Sequence, residues 1–271
     1  MNEKSASILN IIFLVIVCII ALSPYIIMVI SCFSTNASIK GNSIITDLSI
    51  TNFMNNWHTL LNEKYFFSSL MNSLFVSLMS SFIGVFIASM AGYAYTIFRN
   101  KGSDVLFLIS FFSMLIPTAA LVVPIFLIFN YLNLIDTYLA VILTSMSLPF
   151  LIFLFKQNTR LIPIELIKAA RMDGIGEFGI FLKIYVPILK PVYVAAIMIS
   201  FFGAWNAILL PVVLLQTQSK FTNAIFLNSM GSLWYGDYAV LMLALLLSTL
   251  PTLIIFLIFQ RYLKDSLTGI N

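Results

Sequence analysis

The chain has 271 residues, of which 61% are hydrophobic and only 9% are charged, and its mean hydropathy is +1.05. Charged residues make up about a quarter of a soluble globular domain, so the composition excludes that class and predicts a membrane protein. The formal net charge of +4 does not call for a nucleic-acid partner, because basic residues collect on the inner face of membrane proteins.

Six apolar runs along the chain are each long enough to cross a bilayer, which takes about 20 residues. We therefore predict an all-α membrane protein with six transmembrane helices in a single transmembrane domain over residues 1–271. The first run extends past Pro24 to Phe33, too long for the apolar region of a signal peptide, so we expect it to be retained as an anchor. The approximate spans are 8–33, 66–98, 105–130, 137–155, 191–215 and 238–260.

The basic residues predict the orientation, because short cytoplasmic segments collect Lys and Arg. With the N-terminus inside, eleven of the fourteen basic residues are cytoplasmic, and only Lys40, Lys64 and Lys220 lie outside. The opposite orientation places those eleven on the outer face. We therefore expect both termini in the cytosol.

Two sets of small or polar residues lie inside the predicted spans. Ser80, Gly84, Ala88 and Gly92 recur every fourth residue and predict a flat strip for close helix packing, with a lining of the pathway as the alternative. We choose polar and aromatic residues as candidates for the translocation pathway, because sugars are bound by hydrogen bonds and aromatic faces. For each Asn, the alternative is a hydrogen bond to a neighbouring helix. These candidates are Asn72, Ser73, Asn130, Trp205 and Asn206.

The spans contain no Asp, Glu, Lys, Arg or His, whereas ion-coupled carriers usually place ionisable residues in mid-membrane. The sequence also has no GxxxxGK[ST] loop with which to bind ATP phosphates. Its one histidine, His58, lies in the first outer loop and has no plausible catalytic partner. We expect a chain that is not an enzyme, has no cofactor of its own, and takes its energy from elsewhere.

The segment from Pro163 to Pro191 is rich in charge between two long apolar runs. Pro163 suits the first turn of a helix, and Glu165 lies near the positive end of the helix dipole. Gly174 is expected to end this helix. A second short helix is predicted from about Ile175 to Tyr185, followed by bends at Pro187 and Pro191. We expect one face of this second helix to carry Phe178, Phe181, Leu182 and Tyr185.

This segment resembles the cytoplasmic coupling loop of ATP-binding-cassette importer permeases, their "EAA" motif, in the carbohydrate-uptake, maltose-type branch. Lys168 stands where the motif has its glutamate. The likeness continues in Ala91-Gly92-Tyr93-Ala94 and in Phe202-Gly203-Ala204-Trp205-Asn206. The matching motif residues are Pro163, Glu165, Ala169, Ala170, Asp173, Gly174, Phe178, Pro187 and Pro191.

The resemblance implies a bacterial cytoplasmic-membrane permease subunit with a coupling helix between its fourth and fifth spans, in a coupling segment over residues 158–190. Its implied partners are a second permease in a heterodimer, a dimer of ATPase subunits that bind ATP and Mg, an extracytoplasmic solute-binding protein, and a sugar. The ATPase-coupling residues would be Glu165, Lys168, Ala169, Ala170, Asp173 and Gly174, and the binding-protein contacts Asn223, Asn228, Gly231 and Ser232.

Three alternatives remain open at this point. In the first, the chain belongs to such an importer, but the solute is a non-sugar, a sugar phosphate or an acidic saccharide. In the second, the chain is a scaffold or receptor component that binds partners through the same cytoplasmic helices without moving solute. In the third, the chain is a channel or an ion-coupled carrier.

Overall fold

The computed structural model describes residues 3–41, 47–146, 148–231 and 236–268. Within those ranges the regular secondary structure is all helical, as expected. In chain order the α-helices are α1 (Glu3–Cys32), α2 (Asn36–Lys40), α3 (Ile50–Asn62), α4 (Phe66–Ile97), α5 (Lys101–Ser113), α6 (Thr118–Tyr131), α7 (Tyr138–Ser145), α8 (Leu148–Thr159), α9 (Ile164–Met172), α10 (Glu177–Ile180), α11 (Val186–Ile188), α12 (Lys190–Trp205), α13 (Leu209–Leu214), α14 (Asn223–Met230) and α15 (Tyr238–Thr268).

Three of the described helices are long and apolar enough to cross a membrane: Asn10–Cys32, Phe66–Ile97 and Tyr238–Gln260. Three bent pairs raise the number to six if each pair is one span. These pairs are α5 with α6, α7 with α8, and residues 177–188 with α12, bent by 108°, 41° and 82° respectively. The predicted first, second and sixth spans are thus single helices, whereas the other three are interrupted.

The predicted span over residues 105–130 is interrupted in the structure. α5 ends at Ser113, and α6 begins at Thr118 with Pro117 as its N-cap. Proline has no backbone N–H and disfavours helical geometry in the residue before it, so the chain turns here. The predicted span over residues 191–215 is also interrupted, because α12 ends at Trp205 and α13 begins at Leu209.

The chain divides into two compact units, of which the first comprises Met1–Phe66 and Leu227–Leu250. Here the side-chain amide of Asn56 donates to the carbonyls of Cys32 and Ser34 at 2.9 and 3.1 Å, and so fastens α3 to the end of α1. The Asn36 side chain donates to the Gly236 carbonyl at 2.6 Å. The described part of the segment after the first span is therefore largely helical and anchored.

The second unit comprises Phe67–Phe226 and Pro251–Asn271, and the small-residue strip on α4 packs closely within it. A Cβ at Gly84 would lie 2.9 Å from the Met146 carbonyl oxygen, and one at Gly92 would lie 2.6 Å from the Phe155 Cβ. The Ser80 hydroxyl donates to the Ile142 carbonyl at 3.3 Å. The predicted helix contact is confirmed: the strip packs against α7, α8 and the short connection between them.

Candidate functional site

Helix α9 begins and ends close to the predicted positions. Pro163 is its N-cap, one residue before the predicted first-turn position, and Glu165 lies in the first turn. Arg171 lies in the last turn, where a cation interacts favourably with the helix dipole. The predicted short amphipathic helix is therefore present in the middle of the coupling segment, residues 158–190.

The turn after α9 is a Schellman motif, in which two backbone bonds satisfy the last carbonyls of a helix. The N–H of Gly174 donates to the Arg171 carbonyl at 3.1 Å, and that of Ile175 donates to the Ala170 carbonyl at 3.0 Å. Gly174 has φ +77°, a left-handed conformation that glycine adopts without the steric cost of a Cβ. The predicted elbow at Gly174 is confirmed, and its cause is this conformational requirement.

The two faces of α9 differ in exposure. Ile167 and Ala170 are buried in a hydrophobic cluster of this chain. Ala170, one of the coupling residues that the resemblance implies, is thus covered by the chain itself. Four of the exposed residues of α9 lie along one side of the helix, and we call this side the docking face: Glu165, Lys168, Ala169 and Met172.

Met172 is 84% exposed and was not among the predicted coupling residues. Residues i, i+3, i+4 and i+7 lie on one side of a helix, and Glu165, Lys168, Ala169 and Met172 have this spacing. The signal was thus present in the sequence. An exposed methionine beside a small residue makes this surface apolar and adaptable.

Beyond the elbow the chain is helical from Glu177 to Ile188 and passes through a π-helical turn at Phe181–Tyr185. The N–H of Val186 donates to the Phe181 carbonyl five residues earlier. This wider turn accommodates Pro187, which has no N–H to donate. The predicted bend at Pro187 was therefore wrong, and the chain turns instead at Leu189, by 82°.

The buried side of this second helix also differs from the predicted one. Phe181 and Tyr185 are 3% and 1% exposed, whereas Phe178 and Leu182 are 58% and 43% exposed. The Tyr185 hydroxyl lies 2.8 Å from Oγ1 of Thr159 and 3.4 Å from the carbonyl oxygen of Ser89. These contacts anchor the second helix to α8 and α4.

Glu177 links three elements at the elbow. Its Oε1 accepts a 2.6 Å hydrogen bond from Nε of Arg171, at the end of α9, and its Oε2 accepts a 2.9 Å bond from the hydroxyl of Tyr93, in α4. The hydrogen bond from Arg171 holds the pKa of the Glu177 carboxyl below its usual value, because it favours the ionised form. Glu177 was not among the predicted site residues.

The predicted pathway residues of α4 take part in internal hydrogen bonds. The Asn72 side chain donates to the carbonyls of Ser219 and Phe221 at 2.9 and 3.0 Å and accepts from the Tyr138 hydroxyl at 2.8 Å. Buried Ser73 accepts a 2.7 Å bond from the N–H of Asn223. The structure thus brings Asn72, Ser73 and Asn223 together in a structural network.

The other pathway candidates are not brought together. Asn130 and Asn206 are exposed, at the ends of α6 and α12. The Asn206 side chain donates to the Phe202 carbonyl of its own helix. Trp205 is buried and stacks on Phe201 with ring centroids 5.7 Å apart. Their pathway role stays a prediction.

The predicted binding-protein contacts differ in exposure. Asn223 is buried, so its side chain is not available to a partner in this structure. Asn228 and Gly231 are exposed, and Ser232 lies outside the described residues.

Asp136 forms a further polar junction that the sequence analysis missed. It has φ +60°, and its Oδ1 accepts from the backbone N–H groups of Gln216 and Thr217, both at 3.0 Å. Its Oδ2 accepts from the Thr217 hydroxyl at 2.7 Å and from Nζ of Lys220 at 2.8 Å. The hydrogen bond from Lys220 contributes most to a pKa of the Asp136 carboxyl well below its usual range.

Comparisons with known proteins match this architecture. Residues 81–269 match the family described as "Binding-protein-dependent transport system inner membrane component". The lactose transport system permease protein LacG of Rhizobium radiobacter is 29% identical over 250 residues, covering 92% of this chain and 90% of the relative. The arabinooligosaccharides transport system permease protein AraQ of Bacillus subtilis is 33% identical over 228 residues, covering 84% and 81%.

Among solved structures, a bacterial ABC transporter involved in the import of the acidic polysaccharide alginate has a chain that superposes with a TM-score of 0.81. The match covers 96% of this chain and 97% of that chain at 24% sequence identity. At this identity the likeness shows a shared fold.

Proposed function

Because this chain belongs to the family of binding-protein-dependent transport system inner membrane components, we propose that it is a permease subunit of an ATP-driven importer of a sugar or oligosaccharide. One observation carries the proposal: relatives named as lactose and arabinooligosaccharide permeases align over more than 80% of both chains at 29–33% identity. Such coverage extends the likeness to the whole membrane domain.

In this proposal the chain crosses the cytoplasmic membrane six times: α1, α4 and α15 each form one crossing, and so do α5 with α6, α7 with α8, and α12 with α13. The positive-inside rule then places both termini and the coupling segment in the cytosol. Irregular backbone inside a membrane is tolerated where protein or a water-filled cavity surrounds it. The break between α5 and α6 is therefore compatible with a span that lines the bundle.

The partners are a second permease, two ATPase subunits and an extracytoplasmic binding protein. The chain itself acts as a transport subunit without catalysis, and ATP and Mg are bound by the ATPase subunits. The docking face of α9 presents Glu165, Lys168, Ala169 and Met172 to the ATPase. Asp173 and Gly174 set the direction of α9, and Ala170 fastens it to this chain rather than to the partner.

ATP binding closes the ATPase dimer and draws the two docking helices together, one from each permease. A transporter with inward-open and outward-open states responds to a partner that binds one state better. In the proposed cycle the closed ATPase dimer favours the outward-open state, which receives the sugar from the binding protein. ATP hydrolysis resets the transporter.

The basic residues of the outer segments favour a neutral saccharide. Lys220 forms an ion pair with Asp136 at 2.8 Å. The Nζ atoms of Lys40 and Lys64 lie 5.5 and 5.1 Å from the ring centroids of Tyr238 and Tyr65. The three lysines assigned to the outer side thus have partners within the chain, which reduces their availability to an acidic solute.

Reconstitution into proteoliposomes with the cognate second permease, ATPase and binding protein tests this function. We expect uptake of labelled oligosaccharide that requires both ATP and the binding protein. Uptake driven by an ion gradient without ATP would identify a carrier, and a fully assembled complex that moves no solute would identify a scaffold; either result contradicts the proposal. The solute is identified by the glycan that raises the melting temperature of the binding protein, because a ligand that binds only the native state stabilises it.

A further inference from the structure

The carboxylate of Glu177 is shared between two donors from different parts of the chain. Nε of Arg171 donates to Oε1 at 2.6 Å, and the Tyr93 hydroxyl donates to Oε2 at 2.9 Å. Arg171 lies in the last turn of α9, and Tyr93 lies in α4 near its C-terminal end. One carboxylate therefore connects the helix with the docking face to a membrane-spanning helix.

The Tyr93 end of this connection is rigid. Tyr93 is 5% exposed, and its ring centroid lies 5.7 Å from that of Phe181 and 5.1 Å from that of Tyr185. Edge-on aromatic contacts at these distances hold a ring in a defined orientation. The Tyr93 hydroxyl is thus a fixed anchor for the carboxylate.

The Arg171 end reaches α4 by a second route. The Arg171 guanidinium lies 5.8 Å from the ring centroid of Phe98, which directly follows α4. The side chains of Arg171 and Glu177 are 39% and 41% exposed, and a pair this exposed contributes little to stability by itself. The Arg171–Glu177 pair instead affects the geometry of the elbow, because it connects the two ends of the turn from residue 171 to residue 177.

The elbow itself has little side-chain support. A Cβ built at Gly174 or Gly176 meets no atom within 4 Å. The orientation of α9 relative to the following helix therefore depends on the backbone bonds of the Schellman turn, on the buried side of α9, and on the bridge through Glu177.

We propose that Glu177 is a positioning residue that transmits displacement of the docking helix α9 to α4 through Arg171 and Tyr93. This inference rests on the proposed function, since it assigns the step between the ATPase contact and the membrane helices. Glu177 need not touch the ATPase, the solute or ATP. Without the bridge, only the apolar contacts of α9 and the backbone of the elbow transmit its displacement to α4, so ATP is hydrolysed with less transport.

The test compares Glu177→Gln, Tyr93→Phe and the double variant in the complete reconstituted transporter. Lys183→Gln is the control, because Lys183 is exposed in the same second helix and the substitution also removes one charge. The measured quantity is the number of sugar molecules taken up per ATP hydrolysed. Basal ATP turnover, co-purification of the ATPase and the melting temperature of the complex are measured in parallel.

We expect each single variant to lower uptake per ATP by about threefold to tenfold, the effect of losing one ordinary hydrogen bond, because exposure weakens a bond to a charged group. Co-purification, basal turnover and melting temperature should match those of Lys183→Gln. The double variant should be no worse than the more severe single variant, because both changes break the same link.

Unchanged uptake per ATP in Glu177→Gln and Tyr93→Phe would overturn the inference, and so would additive losses in the double variant. Loss of ATPase co-purification would also overturn it, since Glu177 would then be a docking contact. The tyrosine variant keeps the ring and serves as the test if Glu177→Gln does not assemble. Failure of the unmodified transporter to show ATP-dependent uptake would instead contradict the proposed function.

Discussion

The hydroxyl of Tyr185 lies 2.8 Å from Oγ1 of Thr159, in the last turn of α8. Thr159 donates to the carbonyl of Phe155 at 2.7 Å, so its oxygen is free to accept from Tyr185. This buried contact fixes the helix after the elbow to the end of α8. The elbow at Gly174 therefore joins a fixed helix on one side to the exposed docking face on the other.

Gly174→Pro should abolish sugar-stimulated ATP turnover and weaken ATPase docking while the protein stays in the membrane. Proline removes the N–H that bonds to the Arg171 carbonyl and requires φ near about −65°, whereas Gly174 has φ +77°. Gly174→Ala should have a smaller effect, since a left-handed alanine costs about 1–2 kcal/mol. Turnover is measured in the reconstituted transporter.

Gly176→Ala is the control for this series, because Gly176 has φ −67° and its added Cβ meets no atom within 4 Å. It should leave turnover unchanged. If Gly174→Pro also left turnover and uptake unchanged, the elbow would have no role in coupling.

Much of the coupling segment could be predicted from local signals. The Asp173-Gly174 pair located the elbow, and the four-residue spacing of Ser80, Gly84, Ala88 and Gly92 located a packing strip, because both depend on nearby residues. The sequence did not reveal which side of the second helix is buried. Apolar residues occur all around it, so helical spacing alone does not select Phe181 and Tyr185 over Phe178 and Leu182.

The polar contacts between distant residues could not be predicted from the sequence, for a different reason. Tyr93 and Glu177 are 84 residues apart in sequence, and Asp136 is 84 residues from Lys220. Neither pair has a local signature, because the contact exists only after the helices have packed. The burial of Ala170 likewise depends on which side of α9 faces the rest of the chain.

Asp136→Asn should destabilise the junction that Asp136 forms with residues 216–220. Asparagine tolerates the left-handed backbone, so the substitution isolates the loss of charge opposite Lys220. One lost hydrogen bond to a charged group costs about 1.5–3 kcal/mol when buried and less at this partly exposed site, which predicts a melting temperature lower by about 3–6 °C.

The control for Asp136→Asn is Gln218→Ala, an exposed change in the same loop that should leave the melting temperature of the purified complex unaltered. Equal melting temperatures for the two variants would show that the junction does not contribute to stability.

Gly92→Val should impair assembly of the membrane domain. A Cβ at Gly92 would lie 2.6 Å from the Phe155 Cβ and 2.9 Å from the Lys156 backbone nitrogen, and overpacking of this kind typically costs about 1–3 kcal/mol. Met90→Val is the matched change on the exposed side of the same helix. Monodispersity in detergent should fall for Gly92→Val alone; equal behaviour of the two would refute the close contact of α4 and α8.

The difference between the unmodified protein and Glu177→Gln should not depend on pH between about 5.5 and 8. The pKa of Glu177 is lowered by the hydrogen bond from Arg171, so the carboxylate stays charged in this range. Its stabilising effect is present above the unfolded-chain pKa and is lost only as the pH falls through the lower folded-state value. Uptake per ATP measured across this range checks it, and a difference that disappears between about pH 7 and 6 would require a raised pKa instead.

The most direct test of the central claim is photo-crosslinking from residue 172 in the assembled, active transporter. A benzophenone amino acid in place of Met172 should form an adduct with the ATPase subunit, because this side chain is 84% exposed on the docking face. The same label in place of Phe13, on the exposed surface of α1, should form none. An adduct between residue 172 and the extracytoplasmic binding protein, or no ATPase adduct in an active transporter, would contradict the account.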